Sequence, residues 1–215
     1  MAEELFRFGL LCFTSLFTMI NPLGVIPVYM ALVREQEPEL ARRVAIKAIL
    51  FSLIILTIFA LGGNAIFHFF QIRIDSLKVV GGVLFFLLGF DMLQVRMERP
   101  RKPEETVSQY IDDIAITPLA IPFICGPGAI TMVILLFRDA NGWEQRSVFF
   151  TAVVLVLLLT GVILIGGRKV LGILGPSGTK VMMRVMGLIV MVIAVEFFFS
   201  GLTPIVREML QAPPA

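Results

Sequence analysis

Six apolar stretches, at about 8–33, 45–70, 77–95, 115–137, 147–167 and 182–201, divide this chain. About 20 residues of helix cross a hydrocarbon layer of roughly 30 Å, so each stretch is long enough to span a bilayer. Inside hydrocarbon every backbone N–H and C=O needs a partner within the protein, and single stretches of this kind meet that need as helices. The expected fold is an all-α membrane protein with six transmembrane helices. Composition agrees, with 58% of the 215 residues hydrophobic and 16% charged, against roughly 25% charged in a soluble domain. The first stretch does not read as a cleaved leader. "MAEELFR" carries two Glu and one Arg, the apolar run is too long, and no small-residue cleavage site follows.

Several function classes lose support at once. A net charge of +2 gives a nucleic acid no electrostatic purchase. Cys12 and Cys125 fall inside apolar stretches and read as small buried residues rather than a disulfide pair. A lone His68 cannot build a zinc site, so neither metal nor cofactor is expected. No HExxH or GxSxG pattern occurs, and "LGFD" at 88–91 lacks the GxGD form of an intramembrane protease. The chain is not expected to be an enzyme.

Orientation follows from Lys and Arg, which favour cytoplasmic loops. The linkers after stretches 1, 3 and 5 hold 12 of the 18 basic residues, including Arg42, Arg43, Arg99, Arg101, Lys180 and Arg184. Those linkers are expected in the cytoplasm, with the N- and C-termini outside. The polar run at 96–114 reads as the linker between two halves, 1–95 and 115–205, with a short tail at 206–215.

The halves look duplicated. A shift of 105 positions carries Pro22 onto Pro127, Gly24 onto Ala129, Gly82 onto Gly187 and Asp91 onto Glu196. A unit of three helices is odd, so its second copy enters the membrane from the opposite side. Two inverted three-helix repeats are thus expected, an arrangement typical of secondary transporters with sites between discontinuous helices.

Stretches 1 and 4 carry the discontinuities. "NPLGVIP" at 21–27 and "TPLAIPFICGPGAI" at 117–130 place proline and glycine in mid-span. Proline lacks an N–H, so Pro22 frees the C=O of Thr18, Pro27 that of Leu23, and Pro127 that of Phe123. Such breaks survive in a membrane only against protein or a wet cavity. The half-helices beginning near Gly24 and Ala129 would aim their N-termini at the midplane, where N–H groups suit a carboxylate. The freed carbonyls suit an ammonium, so the two together suit a zwitterion. Asn21 adds an amide, and Thr18 and Thr131 add hydroxyls. The candidate substrate-binding set is Thr18, Asn21, Pro22, Gly24, Pro27, Phe123, Gly126, Pro127, Gly128 and Thr131. Asp91 and Glu196 are candidates for coupling or gating, because carboxylates in apolar segments are costly. Each reaches either a cavity or the headgroup region.

The motifs "NPLGVIP", "PLAIPFICGPGAIT", "IDSLKVVGG" and "RVMGLIVMVIAVEFFFSG" resemble those of the MarC family of bacterial inner-membrane proteins, over nearly the whole chain. The resemblance implies six helices, residence in the inner (plasma) membrane and amino-acid-like substrates. Some members look like carriers of small neutral amino acids such as glycine and alanine, and the family is similar to the broader lysine-exporter group. A transporter of a small neutral solute is expected, coupled to H⁺ or Na⁺ or uncoupled. The alternatives are a channel and a non-transporting membrane factor linked to stress or drug resistance. A homo-oligomer stays open.

Overall fold

The computed structural model describes residues 2–33, 36–71, 73–94 and 106–211. Its described residues form helices throughout: α1 (Ala2–Ile20), α2 (Pro22–Val33), α3 (Pro38–Phe69), α4 (Ile74–Leu93), α5 (Val107–Ile114), α6 (Pro127–Asp139) and α7 (Gly142–Gln211). Between α5 and α6 lies an irregular segment, Ala115–Ile124, in which Thr117 (φ −131°, ψ 118°) and Ile121 (φ −119°, ψ 123°) are extended. Large apolar side chains such as Leu50, Leu61, Leu158 and Val162 stand on the outer surface, which is the surface a bilayer solvates.

The 70 residues of α7 hold two apolar arms, Gly142–Gly167 and Lys180–Leu210. They are not collinear. Gly167 lies against Ile26, while Val190 lines the same cavity as Gly24 and Val25. On a straight helix Gly167 and Val190 would be about 34 Å apart, so the run folds back between its arms. The arms count separately, α1 with α2 makes one span, and the bent pair Ser108–Ile124 and Pro127–Asp139 (64° apart) makes another. With α3 and α4 the chain crosses six times, as the sequence led us to expect.

Close contacts fix the directions. Gly9 meets Val148 and Ile26 meets Gly167, so α1–α2 runs parallel to the first arm. The Tyr29 hydroxyl donates to the Ala41 carbonyl at 2.8 Å, placing the start of α3 beside the end of α2. Gly201 meets Asp75 and Lys78, and Arg73 pairs with Glu208, so α4 runs antiparallel to the second arm. The start of α1 and the end of α7 therefore share one face of the molecule.

The α4–second arm interface is built on glycine. Lipid tails give apolar helices no hydrophobic reason to associate, so contact depends on close van der Waals fit between small residues. A Cβ on Gly82 would lie 2.8 Å from the Ala194 carbonyl and the Phe198 nitrogen; one on Gly187 would lie 2.7 Å from the Gly89 carbonyl and 2.9 Å from the Leu93 nitrogen. Adding 105 to 82, 89 and 93 gives 187, 194 and 198, so the two sets of contacts are reciprocal under the shift read from the sequence.

One boundary differs from the sequence reading. Residues 107–114, assigned above to the polar linker, form helix α5. Thr106 caps it, its hydroxyl accepting from the Gln109 N–H while the Gln109 side chain accepts from the Thr106 N–H, a reciprocal arrangement that satisfies two exposed donors. Tyr110, Ile111 and Ile114 then face the core. Charge marked this stretch as linker, and its apolar face is what makes it helix. The rest of the expected linker, 96–105, lies outside the described residues.

Candidate functional site

Proline at the first position of a helix costs nothing, since that N–H would have no partner anyway. Pro22 begins α2 and Pro127 begins α6, two residues ahead of the starts expected from the sequence and again 105 apart. Pro27 sits inside α2, which continues through it. It is therefore not a second break.

Asn21 forms the joint between α1 and α2 with φ 47°, a left-handed conformation that Asn tolerates better than other side chains. Its N–H donates to the Phe17 carbonyl at 3.0 Å, and its own carbonyl accepts from Gly24 at 2.9 Å and Val25 at 3.2 Å. Its side-chain oxygen also accepts from the Gly24 N–H at 3.3 Å. A Cβ on Gly24 would come within 2.5 Å of the Asn21 amide nitrogen, so a side chain there would push the Asn21 amide out of its capping position. The first turn of α2 is thus capped from within, and Gly24 does not present a free donor to a solute. The α6 turn differs. Its first internal bond is Ile130 N–H to Gly126 C=O, which leaves the Gly128 N–H without an acceptor in the helix. On the other side of the joint, Pro22 has no N–H to give the Thr18 carbonyl.

A cavity of about 270 Å³ opens at this joint, just below the roughly 300–1,000 Å³ usual for small-molecule sites. Of the sequence candidates, Thr18, Asn21, Gly24, Phe123 and Gly128 line it. The others lie outside the lining. Pro22 and Pro27 are buried in α2, Gly126 packs under Phe85, and Pro127 fits against Gly81 so tightly that a Cβ there would overlap its ring. Thr131 is buried in α6 with no hydrogen-bond partner for its hydroxyl, outside the lining.

The sequence reading missed Met19, Ile20 and Val25 beside the joint, and Phe85, Val190, Ile193 and Phe197 across from it. Phe85 and Phe123 stack with centroids 6.4 Å apart. One signal was available for two of them. The lining contains two pairs related by the shift, Thr18 with Phe123 and Phe85 with Val190.

Asp91 and Glu196 are exposed and do not line the cavity. The centre of the reciprocal contacts falls between residues 86 and 87 of α4 and between 191 and 192 of the second arm. Each acid is four to five residues from that centre, about 7 Å along a helix. The two acids thus stand on opposite sides of that centre. No cluster of His, Cys, Asp or Glu among the described residues could hold a metal ion.

Six helical spans with a mostly apolar cavity at the joint of broken helices define a polytopic membrane protein. The family described as MarC family integral membrane protein matches residues 6–206. The chain belongs to that family. It is similar to UPF0056 membrane proteins of Methanocaldococcus jannaschii (34% identical, covering 91% of this chain and 96% of the relative) and Pyrococcus horikoshii (36%, 93% and 96%). A third, YvbG of Bacillus subtilis, is 31% identical over 92% of this chain and 95% of its own length. No solved structure matches.

Proposed function

We propose that the protein is a secondary transporter of a small neutral solute, an amino acid such as glycine or alanine, in a bacterial inner membrane. The observation that carries this reading is the cavity at the Asn21 joint, lined from both halves by residues 105 positions apart. Inverted repeats meeting at broken helices are the arrangement by which transporters expose one site to two sides in turn. The reciprocal glycine contacts support dividing the chain into repeats 1–95 and 115–205.

The chemistry fits a zwitterion. The Gly128 N–H at the positive end of α6 suits a carboxylate, and the Thr18 carbonyl suits an ammonium. Phe85, Phe123 and Phe197 line the cavity and suit a short apolar side chain. Among the described residues no charged side chain lines the cavity, so none of them offers a counter-ion to a solute of net charge. Asp91 and Glu196, one on each side of the centre, are our candidates for coupling to protons.

Uptake of labelled alanine and glycine into proteoliposomes, under imposed H⁺ or Na⁺ gradients, tests the reading. Saturable flux with counterflow is expected, and Glu196→Gln should remove stimulation by a pH gradient while sparing counterflow. Flux without saturation or counterflow would mean a channel. No flux under any gradient would overturn the proposal and leave a membrane factor that carries nothing.

A further inference from the structure

Of the residues that line the cavity, Thr18, Met19 and Ile193 are exposed and the rest are buried or half-buried. The cavity therefore opens sideways, between the end of α1 and the second arm of α7. These two meet over α6, where a Cβ on Gly128 would lie 3.1 Å from both the Met19 sulfur and the Phe197 ring. From that point both lead to the terminus face, α1 back to its start and the arm on to its end. On α1 the exposed residues that way include Thr18, Thr14 and Arg7, with Leu11 among them. On the arm, one turn beyond Ile193, they include Glu196, Ser200, Thr203 and Arg207. Steps of four and seven residues keep to one face of a helix, so each set is a polar stripe.

Glu196 decides what fills the space beside it. The nearest charged residues along the arm are Arg184 and Arg207, about 17 Å away on either side. Its neighbours Ala194 and Phe198 meet Gly82, which lies about 12 Å from the start of α4. The carboxylate thus sits well inside the span. It is exposed and has no ion-pair or hydrogen-bond partner among the described residues. A carboxylate is expensive in hydrocarbon, and inside a membrane protein such groups face water-filled paths. The hydroxyls demand less. Thr14 and Thr18 donate to the Leu10 and Thr14 carbonyls at 2.8 Å, and Ser200 donates to that of Phe197 at 2.9 Å, bonds that a helix supplies by itself. On the other side of the arm, Val195 and Phe199 line an apolar groove with Gly82 and Phe86, a surface suited to lipid tails.

We propose that the gap between α1 and the second arm is a hydrated entrance to the cavity from the terminus face, with Glu196 as the charge that selects what enters. The ammonium end of a zwitterion is drawn to it, and an anion is repelled. Water there also carries protons to Glu196, as a role in coupling requires. The inference rests on the transporter reading for its solute but is measured without one. Ser200→Cys and Phe199→Cys, at one depth on different sides of the arm, are treated from the terminus face with membrane-impermeant cationic and anionic thiosulfonates, in vesicles of known orientation. Cys12 and Cys125 are buried, so the parent chain supplies the blank. Ser200→Cys should react with the cationic reagent while Phe199→Cys does not. At Ser200→Cys the cationic reagent should outpace the anionic one by about tenfold, the ratio that one full charge about 6 Å away produces even in bulk water. Glu196→Gln should abolish that preference and Glu196→Asp should keep it, which loss of folding would not do. A Ser200→Cys as unreactive as Phe199→Cys would place that face in lipid and overturn the proposal. So would equal rates for the two reagents with Glu196 intact. A reactive, cation-selective Ser200→Cys without flux under any gradient would sink the transporter reading alone, and flux with Ser200→Cys unreactive would sink the entrance alone.

Discussion

Asn21 holds φ 47°, where most side chains cost about 1–2 kcal/mol relative to helical backbone, and it also caps α2 with its amide. Backbone and side-chain roles separate by substitution. Asn21→Gly should keep the melting temperature close to that of the parent, since Gly accepts the angle, yet weaken solute-induced stabilisation. Asn21→Ala should lose about 1 kcal/mol or more of stability as well. Thermal unfolding in detergent, with and without alanine, checks both; equal melting of the two variants would mean the joint carries no strain. A second pair of glycines makes a sharper contrast. Gly81→Ala pushes a methyl into the Pro127 ring, which cannot rotate away, so α4 and α6 must part at a cost of about 1–3 kcal/mol. Gly166 has nothing within 4 Å of a built Cβ, and Gly166→Ala should be neutral or stabilising by up to about 1 kcal/mol. Proline and glycine in mid-span made this joint legible from the sequence. The internal cap on Gly24 was not, because it depends on the direction of one side chain.

Reciprocity belongs to the helices rather than to any one residue. Gly82 and Gly187 meet the same kind of partner, a backbone carbonyl and a backbone nitrogen, at nearly the same distances. Backbone cannot yield as a flexible side chain does, so Gly82→Ala and Gly187→Ala should destabilise by similar amounts, about 1–3 kcal/mol each. Gly62→Ala, with its nearest neighbour 3.7 Å away, serves as the control on α3. Measured midpoints that fall for Gly82 but not for Gly187 would break the symmetry of the interface. The same interface explains why half of the cavity was illegible. Phe85, Val190 and Ile193 lie in apolar runs with no proline or polar side chain beside them, Phe197 follows Glu196 in another such run, and hydropathy cannot tell a lipid-facing phenylalanine from a cavity-facing one. Only their placement beside the glycine seam turns them toward the cavity. The first half of the broken fourth span was hidden for a different reason, since Asp112 and Asp113 mask an amphipathic helix inside a charged stretch.

At the scale of the whole molecule, the directions of six spans and the distribution of charge converge on one orientation. The contacts put the start of α1 and the end of α7 on the same face, as an even number of crossings demands. The end of α2 with the start of α3, and the end of α4 with the start of α5, lie on the other face, and the sequence between and just after these ends is rich in Lys and Arg. Charge bias near span ends sets which face stays in the cytoplasm, so the terminus face should be the outer one. Alkaline phosphatase fused after Gln211, or to chains ending at Gln71 or Asn141, should be active because it needs export to fold. Green fluorescent protein at the same points should stay dark, and should fluoresce when fused to a chain ending at Gln36. The reverse pattern at all four points would invert the protein while keeping its fold. A mixed pattern, with Gln71 and Gln211 on different sides, contradicts the antiparallel pairing of α4 with the second arm. That pairing also carries the reciprocal contacts on which the two-repeat reading depends, so a mixed result would remove both together.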